Sequence, residues 1–292
     1  MGASRASSSG TAFARIRARA QGELIERAAA EAWEAGAAGI EERDDGTLLV
    51  WAPAAAAEAV RAALVAVLEP AAVGEVEPEA PADWPEVWKQ GLRPLVVSPR
   101  LVVRPPFAAH ALAPGQREVV IEPRQAFGTG AHASTALALE ALDAALVARP
   151  GARVLDVGCG SGVLALAALA LGARAAVACD LDPIAARETR ENAAANRLGP
   201  LAVFAGSLDA LGAAARFELV VANMLRRELE PLLAALVAHV APGGALVLSG
   251  LLASERGAVA SALAGHGARV AEARERSDDA GGEPWLALTM RS

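Results

Sequence analysis

Five apolar segments in the C-terminal half of the chain limit its architecture more than any other feature. They are ARVLDVG (152–158), ARAAVACD (173–180), LAVFAG (201–206), FELVVAN (217–223) and GALVLSG (244–250). Each is apolar enough to be buried on both faces, and helical patterns separate most of them. That alternation predicts an α/β fold around a parallel, doubly wound sheet. ARVAEARE (268–275) and EPWLALTM (283–290) read as two closing strands.

The N-terminal part has a different rhythm. AFARIRA (12–18) reads as a strand, and GELIERAAAEAWEAG (22–36) as a helix with Leu24, Ile25, Ala28 and Ala32 on one side. GIEER and TLLVWAP flank an Asp-Gly turn, a β-hairpin signal. A second helix (54–69) and a short strand AAVGEVEP (71–78) follow. The order βαββαβ is ferredoxin-like. Prolines then recur at 78, 81, 85, 94, 99, 105 and 106, with Trp84 and Trp88 between them. The expected layout is a disordered tail (1–10), a ferredoxin-like substrate-recognition domain (11–78), a linker (79–107) and a second domain (108–292).

Composition excludes several classes. A net charge of −7 argues against a nucleic-acid binder, whose affinity rests on clustered Lys and Arg. Residues 157–173 are uncharged but contain VGCGSG and fall short of the roughly 20 residues a membrane span needs. Pro242-Gly243-Gly244 breaks residues 231–254 into a helix, a turn and a strand, so no membrane segment is expected. Cys159 and Cys179 lack metal-ligand spacing, which predicts a cytoplasmic, disulfide-free and metal-free chain, read as a monomer.

VLDVGCGSG ends the first strand of the parallel sheet. Gly158, Gly160 and Gly162 fall at the strand-to-helix turn, where such sheets bind ligands beyond their carboxyl edge. The third glycine is one position early for the G-x-G-x-x-G dinucleotide fingerprint. Asp156 precedes the loop, and Asp180 ends the second strand, placed to accept hydrogen bonds from two ribose hydroxyls. Together, D-x-G-x-G-x-G and the acidic strand end resemble the class I S-adenosylmethionine-dependent methyltransferases, which have a Rossmann-like, seven-stranded, mostly parallel sheet.

AFGTGAHASTALALEAL (126–142) runs from a glycine-rich loop into a helix. It is no Walker A loop, since no lysine lies between 90 and 292. A loop rich in hydroxyls and backbone donors suits the methionine end of S-adenosylmethionine, with Thr135 bonding the cofactor and Ser134 as a helix cap. With VLDVGCGSGVLALAALALGA, CDLDPIA, ENAAAN, VVANML and GGALVLSGLL, the segment resembles the PrmA-type ribosomal protein L11 methyltransferases over nearly the whole chain. The resemblance implies methylation, to the trimethyl state, of the N-terminal α-amine and lysine ε-amines of that large-subunit ribosomal protein. It puts the cofactor contacts on Thr135, Gly158, Asp180 and Asn223; the loop reading adds Asp156 and Gly160. Ala131, Ala133, Ser134, Arg226 and Arg227 depart from the family pattern.

Methyl transfer from a sulfonium needs a neutral amine aimed at the methyl carbon. Asn223 is expected to orient that amine, and His132 is the candidate base, with backbone support as its other reading. Cys159 reads as a small buried residue. Two rivals remain: a lysine methyltransferase for another protein, such as the electron-transfer flavoprotein β-subunit, and a non-catalytic S-adenosylmethionine-binding module.

Overall fold

Alternation along Phe13–Arg19 makes strand β1, with Ala14, Ile16 and Ala18 buried and the arginines turned outward. The structure, a computed structural model, describes residues 13–20, 23–43, 45–79, 92–124, 132–277 and 282–291. The chain divides into two units, Met1–Gln90 and Gly91–Ser292.

In the first unit, β1 is followed by α1 (Glu23–Glu34), β2 (Gly39–Glu42), β3 (Thr47–Pro53), α2 (Ala57–Val67) and β4 (Glu77–Glu79). The strands form one antiparallel sheet in the order β2-β3-β1-β4, the ferredoxin-like arrangement. The Asp-Gly turn is held by Thr47 N–H donating to Asp45 Oδ1 at 3.0 Å, with Gly46 at φ 77°. Ile16, Val50, Val60 and Leu64 are fully buried between sheet and helices. Two expectations change. Leu24 is 45% exposed, so the buried stripe of α1 runs through Ala28 and Ala32. The closing strand shrinks to Glu77–Glu79 plus one bridge from Val73 to Ala18, because Pro70–Ala72 forms a 3₁₀ turn. The tail, Trp84 and Trp88 lie outside the described residues.

The second unit begins earlier than the sequence implied. Residues 95–104, read as linker, form β5 (Leu95–Ser98) and β6 (Leu101–Arg104), which pair with each other, and β6 pairs in turn with β7 (Arg117–Val120). The prolines misled because they sit at the strand margins, Pro94 before β5, Pro99 in the turn and Pro105 after β6. Between them LVV runs are β-formers, and Leu101, Val102 and Val103 are buried.

There follow α3 (Ala133–Ala148), β8 (Arg153–Val157), α4 (Val163–Ala170), β9 (Ala175–Asp180), α5 (Pro183–Asn196), β10 (Leu201–Ala205) and β11 (Phe217–Asn223). Then come α6 (Arg226–Leu229), α7 (Leu233–Ala238), β12 (Val240–Leu252), α8 (Arg256–Gly265), β13 (Arg269–Arg276) and β14 (Trp285–Arg291). Pro242-Gly243-Gly244 lies inside β12 instead of ending a separate turn; the register with β11 shifts between Phe217 and Leu219 to absorb it. The seven-stranded sheet has the order β10-β9-β8-β11-β12-β14-β13, parallel except where β14 meets its neighbours. Its direction of winding reverses between β8 and β11, which opens a crevice at their carboxyl ends. Apolar clusters cover both faces, which is why these strands read as continuous apolar runs. No described helix is long and apolar enough to cross a membrane.

Ile16→Ala removes a fully buried side chain from the first unit alone. It is expected to lower that unit's stability by about 2–5 kcal/mol. Hydrogen exchange checks this: amides of β1 and β3 should lose protection while those of β8 and β11 keep theirs.

Candidate active site

The crevice contains a cavity of about 800 Å³ at the carboxyl edge of the sheet. Its floor is the turn after β8, where Gly158, Gly160 and Gly162 have φ of 69°, 52° and 83°. That left-handed backbone explains the glycines. Crowding by the protein adds to it: a Cβ on Gly158 would lie 2.8 Å from Met224 Sδ, and one on Gly162 2.7 Å from Thr189 Cγ2. The N–H groups of Gly158 and Cys159 both donate to Cys179 O, at 2.9 and 3.0 Å.

Asp180 ends β9 in the cavity wall. Its Oδ2 accepts from Gly160 N–H at 2.9 Å and its Oδ1 from Asp182 N–H at 2.9 Å. Each oxygen keeps a second lone pair for a ligand hydroxyl. Asp182 in turn caps α5 by accepting from Ile184 N–H at 2.8 Å. Asp156 lies behind the wall, fully buried. Its Oδ2 accepts from Ala165 N–H at 3.0 Å, while Oδ1 has no partner among the described residues. Burial pushes its pKa up to about 7, against the pull of the Ala165 amide and with a further push from the Asp180 charge.

Thr135 is fully buried in the first turn of α3, where Asn223 Nδ2 donates to its Oγ1 at 3.2 Å. This bond ties the end of β11 to a residue 88 positions earlier. Asn223 itself lines the cavity, and its buried Oδ1 has no partner among the described residues. His132, not Ser134, is the N-cap of α3: its Nδ1 accepts from Ser134 N–H at 3.3 Å and lies 2.7 Å from Ser134 Oγ. The ring meets Trp285 edge-on, with centroids 4.6 Å apart. Gly158, Gly160, Asp180, Asn223 and His132 therefore share one cavity wall, with Asp156 and Thr135 immediately behind it.

Sequence reasoning missed three residues here. Trp285 comes from the last strand and had no motif around it. Ser249 Oγ donates to Ser134 O at 2.8 Å, holding the start of α3 from β12. Gly250 has φ 82°, and a Cβ there would lie 2.6 Å from Met224 O; a lone glycine inside a strand pattern was the available signal.

Cys159 and Cys179 are buried and their thiols are pushed up, Cys179 to about 12, so neither offers a thiolate. Burial dominates both shifts, with the Asp156 charge next. His239 is buried with Nδ1 3.0 Å from Ala215 O, and His266 ends α8. Arg226 pairs with Glu230 at 3.5 Å, and Arg227 is exposed. Ala131 lies outside the described residues. Among the described residues no group of three or more His, Cys, Asp or Glu could hold a metal ion.

The family model for ribosomal protein L11 methyltransferase (PrmA) matches residues 16–291. The chain belongs to the PrmA family. A ribosomal protein L11 methyltransferase from Sorangium cellulosum is 38% identical over 291 residues, covering 89% of this chain and 90% of that protein. One from Deinococcus radiodurans is 40% identical over 273 residues, covering 89% and 92%. Among solved structures, a ribosomal protein L11 methylase from Lactobacillus delbrueckii subsp. bulgaricus superposes with TM-score 0.59 at 30% identity, over 68% of this chain and 97% of that one. The PrmA fold is that of the class I methyltransferases, as the D-x-G-x-G-x-G loop implied.

Asp156 gives the site a pH signature. Its folded pKa of about 7 exceeds its ordinary 3.8, so the native state holds the extra proton between those values. Its contribution to stability is complete below about pH 4 and lost as pH rises through about 7. Asp156→Asn should flatten the decline between those pH values, read from urea midpoints across the range.

Proposed function

We propose that the chain is an S-adenosylmethionine-dependent N-methyltransferase whose substrate is ribosomal protein L11, methylated at its N-terminal α-amine and lysine ε-amines up to the trimethyl state. The single observation that carries this is the unpartnered Oδ1 of Asn223, buried in the wall that also holds Asp180 and the glycine loop. A buried acceptor without a donor is costly unless a ligand supplies one.

The residues present fit the cofactor. Asp180 has free lone pairs for a pair of ribose hydroxyls. Val157, Leu181 and Leu208 give the same cavity an apolar side for a base. When bound, S-adenosylmethionine supplies a methyl group activated by its sulfonium. The work left to the protein concerns the amine. A free lysine is protonated at pH 7, and removing that proton costs about 4–5 kcal/mol, against about 1 kcal/mol for an α-amine. A desolvated pocket lowers that cost by disfavouring the ammonium. Asn223 Oδ1 would accept an N–H of the neutral amine and so orient its lone pair; the bond from Nδ2 to Thr135 fixes which end of the amide faces the cavity. His132, whose Nδ1 accepts from the Ser134 amide, supports α3 in this reading. The ferredoxin-like unit is assigned to holding the target protein.

Two measurements test this. Asp180→Ala should weaken S-adenosylmethionine binding by at least about tenfold in calorimetry, the loss of roughly one charge-assisted hydrogen bond. Unchanged binding would remove the cofactor assignment. Labelled S-adenosylmethionine with dissociated ribosomal proteins should mark one small large-subunit protein, and a chain lacking residues 1–78 should bind cofactor yet leave that protein unmarked. Label on RNA, or full labelling by the truncated chain, would overturn the substrate reading.

A further inference from the structure

The ENAAAN segment entered the sequence comparison without a role. In the structure its two asparagines lie on α5 and reach across to the backbone of two other segments. Asn196 Oδ1 accepts from Val120 N–H at 2.7 Å and its Nδ2 donates to Val120 O at 2.6 Å. Asn192 Oδ1 accepts from Glu122 N–H at 3.1 Å. Val120 and Glu122 point the same way, and the opposite edge of this stretch pairs with β6 through Ile121 N–H and Arg104 O at 3.0 Å. The asparagine amides thus stand where a neighbouring strand would be.

Asn192 does something that Asn196 does not. Its Nδ2 donates to Ser161 O at 2.9 Å, inside the glycine loop. One turn earlier on α5, Thr189 Oγ1 donates to Gly160 O at 2.9 Å. Two successive carbonyls of the loop are therefore tied back to α5, on the side away from the Gly160 N–H that meets Asp180. Asn192 is itself buried, so its amide has no water to fall back on.

We propose that Asn192 is a positioning residue that couples the glycine loop of the cavity to the Val120–Glu122 backbone, so that one buried amide sets these two segments relative to each other. The chain reaches the cavity wall at His132 ten residues after Glu122, and it reaches it again at Gly158. Its consequence for affinity rests on reading the cavity as a cofactor site; the coupling itself does not.

Asn192→Ala is compared with Asn196→Ala by hydrogen exchange on the full chain without ligand, and by calorimetry with S-adenosylhomocysteine. Asn192→Ala should speed exchange at Glu122 and across Gly160–Gly162 together, and weaken binding about tenfold, as the loss of one hydrogen bond of geometry allows. Asn196→Ala should speed exchange at Val120 only, with binding within about twofold although its thermal midpoint falls at least as far. Asn192→Asp keeps the acceptor for Glu122 and removes the donor to Ser161; it should loosen only the glycine loop, and it serves if the alanine variant fails to fold. Unchanged glycine-loop exchange in both Asn192 variants would overturn the coupling. Exchange that rises as expected in a protein whose wild type binds no S-adenosylhomocysteine would uphold the coupling and sink the cofactor assignment instead.

Discussion

The carboxylate of Asp180 accepts Gly160 N–H through one oxygen and Asp182 N–H through the other. The strands of a parallel sheet end in backbone groups with no neighbour, and here one side chain satisfies two of them on either side of β9. The turn after β8 and the start of α5 are thereby fixed to the same strand end. Removing the carboxylate would release the turn after β8 and the start of α5 together.

A second tie runs across the crevice. Asn223, at the end of β11, and Ser249, its partner on β12, hold Thr135 and Ser134 at the start of α3. His132 caps the same turn from outside. The first turn of α3 is thus pinned from the sheet side by two hydrogen bonds and faces the cavity through His132 and Ser134. The result is a rigid wall in which the Asn223 amide cannot rotate without losing its bond to Thr135.

The parallel sheet of the C-terminal unit was legible because burial on both faces forces continuous apolar runs, and most of the five are separated by helical patterns. Their order in the sheet was not, because apolar runs carry no record of which strands are neighbours. The glycine loop was legible because left-handed backbone and acidic strand ends leave a spaced pattern. What stayed hidden was hidden for physical reasons. LVVS and LVVR lay between prolines, and proline marks strand margins as readily as linkers. Leu24 matched a helical stripe, but α1 needs only small Ala28 and Ala32 to approach its sheet, which leaves the larger side chain outside. Ser134 was a plausible cap by residue type, yet the cap position is set by where the backbone turns, and that is one residue before Ala133. Trp285 and Asn192 act across the fold at sequence distances no local pattern encodes.

Ser249 and Gly250 make β12 a ruler. The first presents a hydroxyl to α3; the second leaves space for the Met224 backbone, in a stretch where the pairing of β12 with β14 shifts between Leu248 and Leu251. Neighbouring residues on a strand face opposite sides, so adding or dropping one residue between Ala245 and Ser249 would swing the hydroxyl away, and would press Ser249 (on addition) or Leu251 (on deletion) into the carbonyl of Met224. The apolar side chains of this strand are exchangeable for others of similar bulk. Its length is not.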